Sequence, residues 1–389
     1  MRFPMTVIMG AWMPLVFLFS GCEGLRAASQ WQGTPPLSVA EKGKGADKTA
    51  SRWIVLDTGG SGGMFGLGEI RQNLLDVSFW SDGTHGVACG DAGAFATDNG
   101  GLTWRRIKER PAPPNRYYHV TMSGPREMWL GQGQHGGREG HPWYSADGGV
   151  TWSEKAAGKL SGCSGLLVNE KECWVLCGDF QGYSSRDNGE TWEAINFGGL
   201  LPGTFNMVIT REVQGDKTST VYVSGHAGQQ VRLVKSFDVG RKWENVPLPD
   251  GLPPASPYYQ IFFATPLKGW IGMPGGGILH TADGGKTWER RDLPNKEQSI
   301  TSLWFDHQNP EHGFAGVWNG FVPGQGSPRM GTALYETFDG GRNWMASLQG
   351  QKQVNAIFGL DSRRVWAVGD IPGFAANDLV AILEPEKKR

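Results

Sequence analysis

The chain has little of what a helical protein needs. Beyond residue 19 no apolar run keeps the 3.6-residue helical period, and 59 Gly with 23 Pro in 389 residues suit turns instead. No charge sign dominates, since 37 Lys and Arg face 38 Asp and Glu. That balance leaves no electrostatic footprint for nucleic acid. The one long hydrophobic stretch ends at Phe19; it is short for a spanning helix and is broken by Pro14. Cysteine is scarce, at 5 residues.

What the chain has is repetition. Thr97-Asp98-Asn99-Gly100-Gly101-Leu102-Thr103-Trp104 returns as Ser145 to Trp152, Ser185 to Trp192, Ser236 to Trp243, Thr281 to Trp288 and Thr337 to Trp344. Five copies share one frame: Ser or Thr, any, Asp, any, Gly, any, any, Trp. The first reads as having one extra residue between Asp98 and its Trp. The aspartates Asp98, Asp147, Asp187, Asp238, Asp283 and Asp339 recur every 40 to 56 residues, a spacing that fits one four-stranded blade per repeat. An Asp-x-Gly stretch between apolar runs is a turn signal. The Ser or Thr hydroxyl helps close the turn, and the Trp buries apolar surface against a neighbouring unit. These six aspartates are therefore read as structural.

Three short strand patterns precede each box, and the residues after the Trp supply a fourth. A seventh group without a box follows: Val354 to Leu360, Arg364 to Gly369 and Asp378 to Leu383. Its missing strand is read as Trp53 to Asp57, because pairing the two chain ends removes open edges. The expected fold is all-β, a seven-bladed β-propeller of four-stranded antiparallel blades closed by an N-terminal strand. It spans residues 51–383 as one domain, followed by a charged tail at 384–389.

The first 22 residues have the form of an export signal, an apolar stretch followed by Ser20-Gly21-Cys22. Ser-Gly-Cys resembles the end of a bacterial lipoprotein signal, which would make Cys22 the lipidated residue; plain secretion and a retained anchor are the other outcomes. Phe19 stands where such signals usually carry Leu. Residues 23–50 read as a flexible tether. The chain is expected to be extracytoplasmic, as a periplasm-facing lipoprotein or a secreted protein, and to touch membrane only through an N-terminal lipid. Export opens disulfide chemistry to Cys89, Cys163, Cys173 and Cys177. Cys163 with Cys177 has cross-strand spacing, Cys173 competes, and four unpaired thiols are the alternative. No cofactor or metal is expected, since Cys173-x-x-x-Cys177 has no companion ligand pair.

The box turns occupy one face of such a ring. Ligands of propellers usually meet the other face, which the second-to-third-strand loops and the inter-blade segments form. Repeats stop agreeing at 131–141 and 318–331, and long insertions tend to mark a binding face. The binding candidates there are Arg110, His135, Arg138, His141, Asp179, His226, Asn319 and Arg329. No nucleophile–base pair is fixed by spacing, so no catalytic residue is assigned.

The boxes from Ser145 to Trp344 resemble the Asp-box, or BNR, repeats of sialidases and related propellers. Gly86-Val87-Ala88-Cys89-Gly90 with its box, and Gly269-Trp270-Ile271-Gly272 with its box, are similar to the photosystem II assembly and stability factor family. That resemblance covers 51–383. It implies a non-catalytic scaffold whose partner is a protein such as a membrane-complex subunit. The rival is an extracytoplasmic glycoside hydrolase or glycan-binding protein. Sialidases carry an Arg-Ile-Pro phrase near their first strand; Arg52-Trp53-Ile54 does not substitute for it.

Overall fold

The computed structural model describes residues 51–56, 73–91, 93–107, 117–133, 141–155, 160, 163, 165–169, 172–176, 181–201, 209–214, 217–227, 230–238, 240–252, 259–320, 329–351, 353–371 and 377–383. Cys22, Arg110, His135, Arg138, Asp179, Cys177 and both chain termini lie outside them.

The strands come in fours, antiparallel and in chain order from inner to outer. Blades 1 to 6 span 74–106, 117–154, 165–194, 209–246, 260–290 and 299–351. Blade 7 takes three strands from 353–383 and its outer strand from Trp53–Leu56, in the register Trp53 to Leu383 and Leu56 to Val380. Inner strands meet their neighbours in order, and the inner strand of blade 7 meets that of blade 1. Asn355 closes that joint, with Nδ2 donating to Asn73 Oδ1 at 2.7 Å and to the Leu74 carbonyl at 2.6 Å. Blades 6 and 7 share one sheet through the pairing of Trp318 with Gln353.

Side chains on inner strands set the register between blades. Asp76 and Ser78 of blade 1 accept the Val120 and Met122 amides of blade 2 at 3.0 and 3.1 Å. In blade 6, Ser302 accepts the Ile357 amide of blade 7 at 3.0 Å.

The apolar glue between blades is an aromatic relay. Phe305 on the inner strand of blade 6 stacks on Trp270 of blade 5 at 3.6 Å between ring centroids. Phe263 of blade 5 stacks on Tyr222 of blade 4 at 3.7 Å, and Phe79 of blade 1 on Trp366 of blade 7 at 3.8 Å. Each Phe also meets the edge of its own box Trp: Trp344, Trp288 and Trp104. The box Trp thus packs within its blade against the ring that reaches the neighbour, which adds specific geometry to area burial.

Each of these Phe residues sits directly across from a glycine: Gly313, Gly269 and Gly86. A Cβ on Gly313 would lie 2.2 Å from the Phe305 ring. Gly313→Ala is expected to cost about 2–3 kcal/mol, because the ring must leave its stack to make room; urea unfolding measures it.

The boxes follow one hydrogen-bond scheme. In the second, Ser145 Oγ donates to Asp147 Oδ1 at 2.8 Å and accepts the Gly149 amide at 2.9 Å. Asp147 then accepts the Thr151 amide at 2.9 Å and the Thr151 hydroxyl at 2.6 Å. The Thr151 hydroxyl and amide hold the Asp147 carboxyl well below the usual carboxylate range. The same donors recur around Asp187 and Asp283. The second box glycine has a positive φ, near +85° in Gly149 and +87° in Gly285, where a side chain would be strained.

The first box corrects the sequence reading. Its frame is the common one, and Asn99, not Asp98, fills the acidic position. Asn99 Oδ1 accepts the Thr97 hydroxyl at 2.9 Å and the Thr103 amide at 3.0 Å, while its Nδ2 donates to the Thr103 hydroxyl at 2.8 Å. An amide does this because Thr103 can turn its hydroxyl from donor to acceptor. Asp98 takes the variable second position and is exposed.

The ring seam is held by a buried carboxylate. Glu336, fully buried just ahead of the sixth box, accepts the Ser51 amide at 2.6 Å and the Ser51 hydroxyl at 2.7 Å. His312 Nε2 lies 2.8 Å from the same carboxylate, and Ser347 Oγ donates to it at 3.2 Å. Trp53 follows, donating from Nε1 to Ser347 Oγ at 2.9 Å and meeting Phe314 edge-on. The N-terminal strand therefore enters the ring on the box face.

Candidate functional site

On the face away from the boxes, the structure gathers polar groups at the end of blade 6. Asn319 and Arg329 flank the segment 321–328, which lies outside the described residues. Gln298, just ahead of the inner strand, donates from Nε2 to Asn319 Oδ1 at 2.5 Å and to the Thr332 carbonyl at 2.9 Å. Tyr335 donates its hydroxyl to Gln298 Oε1 at 2.9 Å. Asn319 Nδ2 reaches the Gln351 carbonyl at 3.3 Å. The Gln298 carbonyl accepts the Gly276 amide from the short 3-10 turn of blade 5 at 2.6 Å. Buried and bonded, Asn319 shapes the site from below. Arg329 forms its half-exposed rim and pairs with Glu297.

A second group lies in blade 2. His141 is half-buried, with Nε2 at 3.3 Å from Glu154. Gln132 accepts the Trp143 indole N–H at 2.8 Å. His141 Nδ1, Gln132 Nε2 and Gln351 Oε1 are buried and have no hydrogen-bond partner among the described residues. All three sit at strand ends on this face. A buried polar atom left unmade costs about 1–3 kcal/mol; Trp129 Nε1 and, in the second box, Trp152 Nε1 are in the same state among the described residues.

His226 lies in the strand Lys217–Ala227, paired in register with Val231 near the same face. Arg110, His135, Arg138 and Asp179 are outside the described residues. Sequence reasoning missed Glu297 and Gln298. The polar run Asn295-Lys296-Glu297-Gln298 ahead of an inner strand was the available signal. Cys89 and Cys163 are both buried. Cys89 donates to the Tyr117 carbonyl at 3.3 Å, and burial raises its pKa well above the ordinary thiol value.

A cleft of about 290 Å³ opens on the box face between blades 5 and 6, lined by Lys268, His280, Trp288, Glu289, Arg291, Glu311 and Arg342. Its carboxylates are neutralised: Glu289 by Arg291 at 2.6 Å and Glu311 by Lys268 at 2.7 Å. These contacts lower both pKa values. Glycoside hydrolysis by a carboxyl pair needs one acid with a raised pKa. Among the described residues every carboxylate with a shifted pKa is shifted down. No group of three or more His, Cys, Asp or Glu among them is placed to hold a metal ion.

His280 on the cleft floor is buried, and burial followed by Arg291 lowers its pKa from 6.5 to about 4. Between those values the unfolded chain binds a proton that the folded chain refuses. Its contribution is intact above about pH 6.5 and lost as pH falls toward 4. His280→Gln removes this slope. From neutral pH to pH 4 the parent chain is expected to lose about 2 kcal/mol more than the variant in urea unfolding.

Seven blades, boxes on one face and polar loops on the other define the class: an Asp-box β-propeller. The BNR/Asp-box repeat model matches residues 143–154. More particularly, the chain is homologous to Ycf48. It is 25% identical to the photosystem II assembly lipoprotein Ycf48 of Synechococcus sp. (strain CC9902) over 285 residues, covering 61% of this chain and 81% of that one. Ycf48 from Cyanidioschyzon merolae has the same fold, with a TM-score of 0.60 at 18% identity, covering 87% of this chain and 100% of that structure. Ycf48 bound to D1 peptide gives a TM-score of 0.59 at 16% identity over 88% of this chain and 99% of that structure.

Proposed function

We propose that this chain is an exported, non-catalytic scaffold, anchored by a lipid at Cys22, which holds a segment of a membrane-complex subunit on the face opposite its Asp boxes. The homology to Ycf48 carries this reading, since one solved relative has a D1 peptide as its partner. The polar rim at Arg329 and Glu297 and the orphan atoms at His141, Gln132 and Gln351 supply hydrogen-bonding groups for an extended peptide. The paired, low-pKa carboxylates of the cleft argue against hydrolysis.

The test is titration of a D1-derived peptide onto the purified chain, beside a glycan hydrolysis screen. Saturable binding that weakens about tenfold in Arg329→Glu supports the reading, on the scale of one lost charge-assisted contact. Absence of peptide binding together with glycan turnover overturns it.

A further inference from the structure

Six large apolar side chains stand exposed among the described residues, and four of them lie on turns of the box face. Leu102, Val150 and Phe237 project from the first, second and fourth boxes, and Leu267 from the turn joining the two inner strands of blade 5. Each is more than half exposed. Leu102 and Val150 are on adjacent blades, tied by Arg105 donating to the Gly148 carbonyl at 2.6 Å. Phe237 and Leu267 are also on adjacent blades. Lys235 lies 5.0 Å from the Phe237 ring and donates at 3.2 Å to Gly284, whose amide donates to the Leu267 carbonyl. One exposed apolar residue needs no explanation; their recurrence in pairs on turns of adjacent blades does.

The charges on this face are layered. The box carboxylates turn back onto their own turns. What projects beyond them is mainly cationic, with Arg126, Arg186, Arg241, Lys242, Lys286 and Arg342 all exposed; the exposed acids among them are Asp82, Asp98, Glu127, Glu190 and Glu289. Apolar tips among long cationic side chains suit the headgroup region of a bilayer, where the cations reach phosphates and the apolar groups sink below them. Ser51, the first described residue, is tied to Glu336 on this same face.

We propose that the box face is the membrane-facing surface of the propeller. It lies against the bilayer that holds the N-terminal anchor, with Leu102, Val150, Phe237 and Leu267 entering the headgroup layer, and it leaves the opposite face open to the partner. This rests on the lipid-anchored reading above and adds an orientation to it. It also accounts for the uneven loops lying away from the boxes.

The test uses the full chain exported into bacterial membranes, with a photoreactive side chain placed singly at position 102, 237 or 330. Met330 is a control of comparable exposure, next to the polar rim of the other face. Lipid adducts, counted by mass spectrometry, are expected to be about tenfold more abundant at 102 and 237 than at 330. Equal yields, or more lipid at 330, overturn the orientation. Protein adducts without lipid at 102 and 237 do the same and make the box face a protein interface. Sedimentation reads the anchor separately. A chain that pellets with membranes yet gives no lipid adducts at 102 and 237 refutes the orientation alone. A chain found in the soluble fraction refutes the anchor and the orientation together.

Discussion

Replacing Glu336 with Ala is expected to cost about 3–5 kcal/mol, because it breaks a buried, hydrogen-bonded charge site and leaves its partners without compensation. His312 loses its carboxylate, the Ser51 amide and hydroxyl lose their acceptor, and Ser347 keeps only Trp53. The loss falls on the seam. Limited proteolysis should therefore release the segment before Trp53 at denaturant concentrations where the central blades still resist. Glu336→Gln keeps an acceptor oxygen and should lose less; the loss it still shows against the parent chain reports the charge. A Glu336→Ala chain with an unchanged urea midpoint would show that the sheet pairing of Trp53–Leu56 alone holds the seam.

Trp270→Ala is expected to cost a similar amount, about 3–5 kcal/mol, for a different reason. Trp270 is fully buried in blade 5 and carries three contacts at once. Its ring stacks on Phe305 of blade 6, its indole N–H donates to the Gly340 carbonyl of the sixth box at 2.9 Å, and it meets the tilted His280 ring at 5.1 Å between centroids. Removing it opens a cavity between two blades and strips the box turn of a donor. Trp270→Phe keeps the stack and loses the hydrogen bond, so it should cost about 1–2 kcal/mol. If the two substitutions cost the same in urea unfolding, the relay contributes no more than its hydrogen bond.

Much of the fold was legible because it is written locally. A box needs its hydroxyl, its acceptor and its Gly within a few residues, and strands alternate over short runs. The seventh blade and its closure by Trp53–Leu56 were readable because counting repeats left one strand over. The first box was misassigned for a local reason too: Asp98 and Asn99 are adjacent, and only the hydrogen bonds reveal which one fills the acidic position. The polar site was half legible. Asn319 and Arg329 stood out in an uneven loop. Gln298, which joins Asn319 to Tyr335, sits in the run before an inner strand, where spacing carries no information about its partners. The Glu336 seam was not legible at all, because Ser51, which supplies two of its donors, lies 285 residues upstream in the chain.

That separation has a consequence for how the protein comes into being. A chain that emerges N-terminus first presents Trp53–Leu56 long before its partner at 380–383 exists. Until then the strand has no sheet to join, and blade 7 has an open edge of the kind that recruits foreign strands. The six boxed blades complete themselves in passing, each from neighbouring sequence, while the seventh waits for the last residues of the propeller. Contacts of such long range are slow to form. Ring closure should therefore be the late kinetic step of folding, and the interval before it is when an exported chain most needs protection from aggregation and proteolysis.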